Sequence, residues 1–486
     1  MTTVESSTVD LRLVPAALTC WLVTACGLFW GQSAAGIAVL GAGLGATAAR
    51  RCARTTSWTP VLTVVAVGLA FAIAVVLRVH AMQTHPLAAS FGSVVPVTVT
   101  PIESPRPIRG GRLMFAANLR QMRDAESSGR VIVFTPAFGY SQVSAGRPVA
   151  FRARVGRPKR RDLSVAMLAA VGEPRFGTAS TAHRAAARVR SDFADAARLT
   201  LPPDQAMMLP ALVLGDTTAV DDESTAQFRR SGLTHLTAVS GANVTIVCGA
   251  VLLSAAVVGP RVAVGLAAVA LFAFVVVVQP SASVLRAAAM GSVMLLGIVA
   301  RRRRQAIPAL AATVLVLMVI SPELAVDVGF ALSVSATAAL VTIAPGWSRR
   351  LVGRGWPKPL ADAVCVACAA QVVTAPLVAA ISGQLSLISV LANLLVAPVI
   401  TPITVLGTAA AALGWVWPTV AQLLIRFTGP ELWWLLHIAR WSAAVPGAAV
   451  SVPSGFAGAL LLGLTTIAVV LLVAVWRRRR GRGIRR

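Results

Sequence analysis

Stretches of about 18 or more residues with almost no charge recur along this chain, and each can cross a ~30 Å hydrocarbon core as a helix. With 56% apolar and only 13% charged residues and a mean hydropathy of +0.76, a water-soluble enzyme is excluded. The runs place spans near Leu13–Trp30, Ser33–Ala49, Pro60–His80, Ser240–Val258, Arg261–Val278 and Val284–Ala300. Six more follow near Ile307–Ser321, Leu324–Ile343, Leu360–Ala380, Gln384–Ile400, Pro402–Trp417 and Gly455–Trp476. The expected fold is a polytopic α-helical membrane protein of about 11–12 transmembrane helices, with one small extracytoplasmic OB-like β-barrel domain inserted after the third span.

Basic residues test that count. The net charge is +26, from 44 basic and 18 acidic residues, and Lys159 and Lys358 are the only lysines. An arginine bias beside heavy Ala, Val and Gly usage reflects GC-rich coding as readily as selection for phosphate recognition, so position carries the argument. Short basic clusters stay cytoplasmic. Those at Arg50, Arg51 and Arg54, at Arg301 to Arg304, at Arg349, Arg350, Arg354 and Lys358, and at Arg477 to Arg486 all fall on one side. This holds with a cytoplasmic amino terminus if the Trp433, Trp434, His437, Trp441 stretch is an interfacial helix that does not cross. Both termini are then cytoplasmic, in an inner (plasma) membrane. Glu5 and Asp10 spoil a signal peptide's basic start, so the first span is expected to stay, and the lipobox-like Val23–Cys26 reads as coincidence.

The expected domains are amino-terminal transmembrane helices over 1–82, the barrel over 83–175, amphipathic interfacial helices over 176–231, a transmembrane core over 232–476 and a basic tail over 477–486. The long insert translocates whatever its charge. None of the six cysteines lies in it, so no disulfide holds it. Cys365 and Cys368 form a C-x-x-C pair inside an apolar helix, without the second pair that zinc needs, and read as packing residues. In the insert, Val95, Val97 and Val99 alternate with polar or turn-compatible residues, as do Val149, Phe151, Ala153 and Val155, with Gly-rich turns between. The polar face of the last strand carries Arg152 and Arg154, flanked by Arg147 and by Arg157, Lys159, Arg160 and Arg161. Basic strand faces with interleaved aromatics hold single-stranded nucleic acid on small barrels, so these seven are candidate DNA contacts. The alternative is a merely solvated face, with most of Phe115, Phe134, Phe138, Tyr140 and Phe151 in the core.

Residues 209–246 read LPALVLGDTTAVDDESTAQFRRSGLTHLTAVSGANVTI. Asp216 precedes a helix that Asp221 and Asp222 begin and Arg229 and Arg230 end, with Gly232 just beyond, so charge and cap both match the helix dipole. His235, Ser240, Gly241 and Asn243 then interrupt an entering apolar span. Polar, Gly-broken helices are tolerated at membrane depth only where buried in protein or lining a wet cavity. This segment closely resembles the signature of the ComEC competence proteins, inner-membrane channels that admit single-stranded DNA during natural transformation. The likeness continues through Gln279–Ala288, Pro322–Ser333, and Ala370–Gln371 through Ser386–Leu387 to Leu391–Leu395 and Pro398. Departures occur at Ala242–Asn243, where many relatives have Leu-His, and at Ala331, where Gln is common. Longer members append a metallo-β-lactamase-like domain; the five histidines here form no H-x-H-x-D-H, so no nuclease activity, cofactor or catalytic residue is expected.

A strand bearing one phosphate charge per nucleotide needs a hydrated, dipole-lined path, because even one ionised side chain at a helix centre costs about 2.5–3.5 kcal/mol. His235, Ser240, Gly241, Asn243, Arg286, Gln371 and Asn393 are the candidate pore-lining residues. Asp327 reads as structural, and a packing pair between Arg286 and Asp327 is the rival role for that arginine. The resemblance implies single-stranded DNA as substrate, membrane lipid around the spans, a DNA receptor outside, a cytoplasmic helicase-like motor and a separate nuclease. A secondary transporter for a smaller anion, and an intramembrane hydrolase using Ser240 and His437, are the alternative classes.

Overall fold

A computed structural model describes residues 10–52, 58–108, 110–123, 125–158, 162–237, 239, 241–299, 305–455, 457–458, 460 and 462–465. Three helices open the chain: α1 (Val14–Trp30), α2 (Gln32–Cys52) and α3 (Thr59–Gln83). They pack on one another through small residues; a Cβ on Gly27 would sit 2.7 Å from a methyl of Val75, so only glycine admits that approach. Close backbone approach is what holds helices together where the surrounding lipid is as apolar as leucine.

After α3, His85 accepts from the Leu87 amide through Nδ1 (3.2 Å), which leaves Nε2 to face the Ser128 carbonyl at 3.2 Å. This anchors the chain where the barrel begins. Its strands are β1 (Val94–Pro101), β2 (Arg106–Ile108), β3 (Arg112–Met122), β4 (Ala125–Pro136), β5 (Val149–Gly156) and β6 (Ala166–Phe176). The order is β1-β5-β6-β4-β3, with β1 pairing back to β3, so five strands close on themselves while β2 extends the edge of β3. Among the described strands of the barrel only β4 and β6 run parallel. That connectivity is of the OB type, and closure removes the exposed edges. The alternation in the sequence is obeyed: Val95, Val97, Val99, Phe151, Ala153 and Val155 point inward, Arg152 and Arg154 outward. Phe115, Tyr140 and Phe151 are core, with the Tyr140 and Phe151 rings edge-on at 5.9 Å. Phe138, on the loop after β4, is 92% exposed.

The chain then forms α4 (Thr181–Thr200), α5 (Pro203–Leu214), α6 (Asp222–Ser231), α7 (Gly241–Ser254), α8 (Pro260–Val278), α9 (Ala282–Val299), α10 (Ala306–Ile320), α11 (Val328–Thr342), α12 (Ala344–Val352) and α13 (Lys358–Ser382). It ends in β7 (Gln384–Ser386), α14 (Ser389–Leu413), α15 (Pro418–Phe427), α16 (Gly429–Ala444) and β8 (Ala449–Ser451), with β7 paired to β8. Among the described residues five segments are long and apolar enough to cross a membrane: Thr59–Ser90, Pro260–Val278, Val328–Val352, Lys358–Ser382 and Ser389–Leu413. Val14–Trp30, Asn243–Ser254, Ala282–Ile298 and Ala306–Ile320 are shorter apolar helices.

Two readings of the sequence are corrected. The separate spans at Gln384–Ile400 and Pro402–Trp417 are one helix, α14, which runs through Pro398 and Pro402. Proline frees carbonyls, but neighbouring groups can re-satisfy them in a membrane helix, so it need not end one. The span expected from Leu324 opens with a 3₁₀ turn, Pro322–Val326, before α11. Helix α5 is buried from Gln205 and Ala206 through Met208–Leu214. The span at Gly455–Trp476 lies mostly outside the described residues.

The chain divides into two compact units that interleave in sequence. One comprises Met1–Ala219, Val239–Phe330 and Thr404–Phe427; the other comprises Val220–Ala238, Ala331–Ile403 and Thr428–Arg486.

The sequence's capping signals are realised at α6. The Asp221 carboxylate accepts from the Ser224 amide at 2.9 Å, Asp222 and Glu223 fill the first turn, Arg229 and Arg230 the last, and Gly232 closes the helix at φ 75°. The hydrogen bond to Ser224 holds the Asp221 carboxyl below the usual carboxylate range. A lowered folded pKa means that this contribution is fully present above the ordinary carboxylate pKa and is lost as pH falls from there through the lowered, folded one. Asp221→Ala is expected to weaken α6 by about 1 kcal/mol, seen as faster hydrogen exchange at the Ser224 amide. Asp221→Asn keeps a cap and should remove the acid-side loss; unchanged exchange in the alanine variant would contradict the assignment.

Candidate functional site

Within the first unit, two contacts tie the barrel to the helical region and a third joins two helices beside it. Gln279, between α8 and α9, accepts from the Ser104 amide through Oε1 and donates to Ser104 Oγ through Nε2, both at 2.7 Å. Its backbone sits at φ 73°, ψ 147°, a conformation nearly confined to glycine. Holding a residue there costs on the order of 1–3 kcal/mol, offset here by two short hydrogen bonds to the loop after β1. Arg130 on β4 meets Glu323, in the turn before α11, at 2.8 Å. Arg190 on α4 donates to the Val277 carbonyl at 2.8 Å, placing a cation at the carboxyl end of α8, where the dipole favours it.

Arg286 lies on the second turn of α9, only seven residues beyond this latch. It is 6% exposed, and its Nη1 lies 3.3 Å from Met290 Sδ. A Cβ on Gly241, the first residue of α7, would lie 3.3 Å from Nη2, so the absent side chain lets the guanidinium approach the broken helix start. Asn243, also buried, donates to the Leu212 carbonyl at 3.1 Å. Leu212 is among the last carbonyls of α5, which the helix itself leaves without partners, so Asn243 serves as a side-chain cap. Gly241, Asn243 and Arg286 thus share one locus; Ser240 lies outside the described residues. Arg286 forms no ion pair with Asp327. Among the described residues the ion pairs are Arg106–Glu103, Arg130–Glu323 and Arg198–Asp195, and Asp327 instead caps α11 by accepting from the Phe330 amide at 2.7 Å.

A second polar locus forms in the other unit. Gln371 on α13 donates to the Ser386 carbonyl at 3.3 Å, and Asn393 on α14 donates to the Ser389 carbonyl at 2.8 Å. Gly232 packs on both serines: a Cβ there would fall 2.3 Å from that of Ser389. His235, three residues on, is exposed. The sequence singled out His235, Gln371 and Asn393, and Gly232 only as a helix stop; its tight approach to Ser389 leaves no pattern in a single chain. Asp216, earlier in the same segment, closes its own turn by accepting from Thr218 Oγ1 at 2.5 Å.

On the barrel, Arg152 and Arg154 stand outward and exposed on β5, across from Val171 and Ala169 of β6. Arg175, exposed on β6, extends the basic face and was missed because no alternation frames it. Arg157 lies 6.0 Å from the Phe91 ring. Arg147 is engaged by the protein itself, donating to the Gly177 carbonyl at 3.1 Å and stacking over Phe176 at 4.6 Å. Lys159, Arg160 and Arg161 lie outside the described residues. His437 stacks on Trp433, ring centres 4.0 Å apart, on the second-unit helix α16.

A family model described as Competence protein matches residues 212–479, more than half of the 486. ComE operon protein 3 of Bacillus subtilis (strain 168) is 27% identical over 216 residues, which cover 44% of this chain and 27% of that protein. The match therefore spans about a quarter of that relative's length. No solved structure matches the chain.

Gln279 lies within the family-matched residues, and its latch predicts a measurable change. Gln279→Gly relieves the backbone strain but removes both hydrogen bonds, so exchange at the Ser104 amide should accelerate at least tenfold, the equivalent of about 1.4 kcal/mol. Unaltered protection at Ser104 would mean that the loop is held by other contacts.

Proposed function

The chain belongs to the competence protein family, and from that premise we propose that it conducts single-stranded DNA across the inner membrane during natural transformation. The observation that carries this reading is the latch at Gln279. It joins an OB-type barrel with an outward basic face to the start of the helix bearing Arg286, the cation set against the broken start of α7.

Physical necessity gives the two parts different tasks. A polyanion is first concentrated on exposed arginines, where binding releases condensed counterions and needs no base recognition. Arg152, Arg154 and Arg157 suit that task, and the exposed Phe138 offers a ring on which a base can stack. Beyond the barrel each phosphate needs local dipoles or cations in place of water, without a trap so deep that release stalls. The polar groups at Gly241, Asn243 and Arg286, and at His235, Gln371 and Asn393, are the proposed lining. A receptor delivering DNA outside and a helicase-like motor drawing it inside are the proposed partners.

Orientation follows from parity. With α14 a single crossing, keeping the basic clusters on the cytoplasmic side requires one further crossing, and α16 is the proposed one. Its buried Leu432, Leu435, Leu436, Ile438 and Ala439 face the protein while Trp433 and Trp441 face outward.

The full chain in detergent is expected to bind single-stranded DNA with an affinity that falls as salt rises, with a log–log slope of about 0.7 per phosphate neutralised. Arg152→Ala with Arg154→Ala should lower that slope by about 0.7 for each phosphate no longer neutralised. In cells, Arg286→Ala should reduce uptake of labelled DNA at least tenfold at unchanged protein level. Salt-independent binding together with normal uptake would refute the reading, and uptake of a small anion in place of DNA would favour a carrier.

A further inference from the structure

Between the candidate spans Val328–Val352 and Lys358–Ser382 lies a short turn, so its flanks sit at headgroup depth. There α12 and α13 enclose an open cavity of about 320 Å³. Trp347, Arg350, Leu351 and Arg354 line it at i, i+3, i+4 and i+7, one face of a helical path, and Val364, Cys365 and Cys368 line it from α13. The floor is therefore apolar and the rim carries two guanidinium groups. Among the described residues no carboxylate lines the cavity; Asp362, the acid nearest in sequence, is hydrogen-bonded to Ser348. Arg350 and Arg354 are exposed and, among the described residues, make no ion pair or side-chain hydrogen bond.

We propose that this cavity is a binding site for an anionic phospholipid, its phosphate forked by Arg350 and Arg354 and an acyl chain lying along Trp347, Leu351 and Val364. Three features select that ligand together. Guanidinium matches phosphate bidentately, the apolar floor demands a hydrocarbon that a free phosphate lacks, and an indole belongs at the boundary between the two. Basic pockets between transmembrane helices hold anionic headgroups by this chemistry. The arginines thus do more than orient the chain, because topology needs only their charge on one side and not a shared face over a hollow.

The test is native mass spectrometry of the full chain titrated with phosphatidylglycerol. Wild type should retain bound lipid, and Arg350→Ala with Arg354→Ala should weaken binding on the order of 25-fold, about fivefold for each residue at roughly 1 kcal/mol per basic group near an anionic surface. Arg349→Ala, outside the cavity, should bind as wild type does. Val364→Trp fills the floor with both guanidiniums intact and should also lose the lipid, which separates occupancy of the cavity from a folding defect. Equal binding of phosphatidylcholine, equal competition by glycerol phosphate, or retention of phosphatidylglycerol by both the double variant and Val364→Trp would overturn the proposal.

Discussion

A polar group carried into the depth of a membrane must find its partner inside the protein, because hydrocarbon supplies none. The cost of failing is several kcal/mol for a backbone amide and more for a charge. Much of the architecture answers that single demand. Asn243 satisfies a carbonyl that the end of α5 leaves open, Gln371 reaches the Ser386 carbonyl, and Trp434 donates its indole N–H to the Leu395 carbonyl at 2.9 Å beside the prolines of α14. The same demand makes the interrupted start of α7 informative, since a broken helix is retained where it serves a path or a packed contact.

The barrel shows how a water-facing part is joined to this environment. Its core is made by simple alternation, so its inner and outer faces were legible from Val95 to Val99 and from Val149 to Val155. The membrane spans were legible for a related reason: long apolar runs have few alternative fates. The count went astray before Pro402, where a second span was expected to begin and α14 instead continues.

The candidate site was legible only in part, and the reason is physical. Polar residues inside apolar runs stand out in a sequence, which brought forward Arg286, Asn243, Gln371 and Asn393. Their partners do not stand out. Ser104 and Gln279 are 175 positions apart, Arg130 and Glu323 are 193 apart, and only the fold makes each pair neighbours. The rival role of Arg286, a packing pair with Asp327, is not taken up because the helix start at Val328 gives Asp327 a nearer donor in the Phe330 amide. What a residue type could do was visible early, and which partner it would take was not.

On the proposed route, DNA passes the guanidinium of Arg286 after leaving the basic face of the barrel. Photo-crosslinking from a reactive side chain placed at position 290, whose sulfur lies 3.3 Å from Arg286 Nη1, in cells taking up labelled DNA, tests that passage most directly with the arginine kept. Covalent adducts with the strand are expected at position 290 only during uptake, together with adducts from positions 152 and 154. Adducts at the two barrel positions with none at 290, while uptake proceeds normally, would contradict the route.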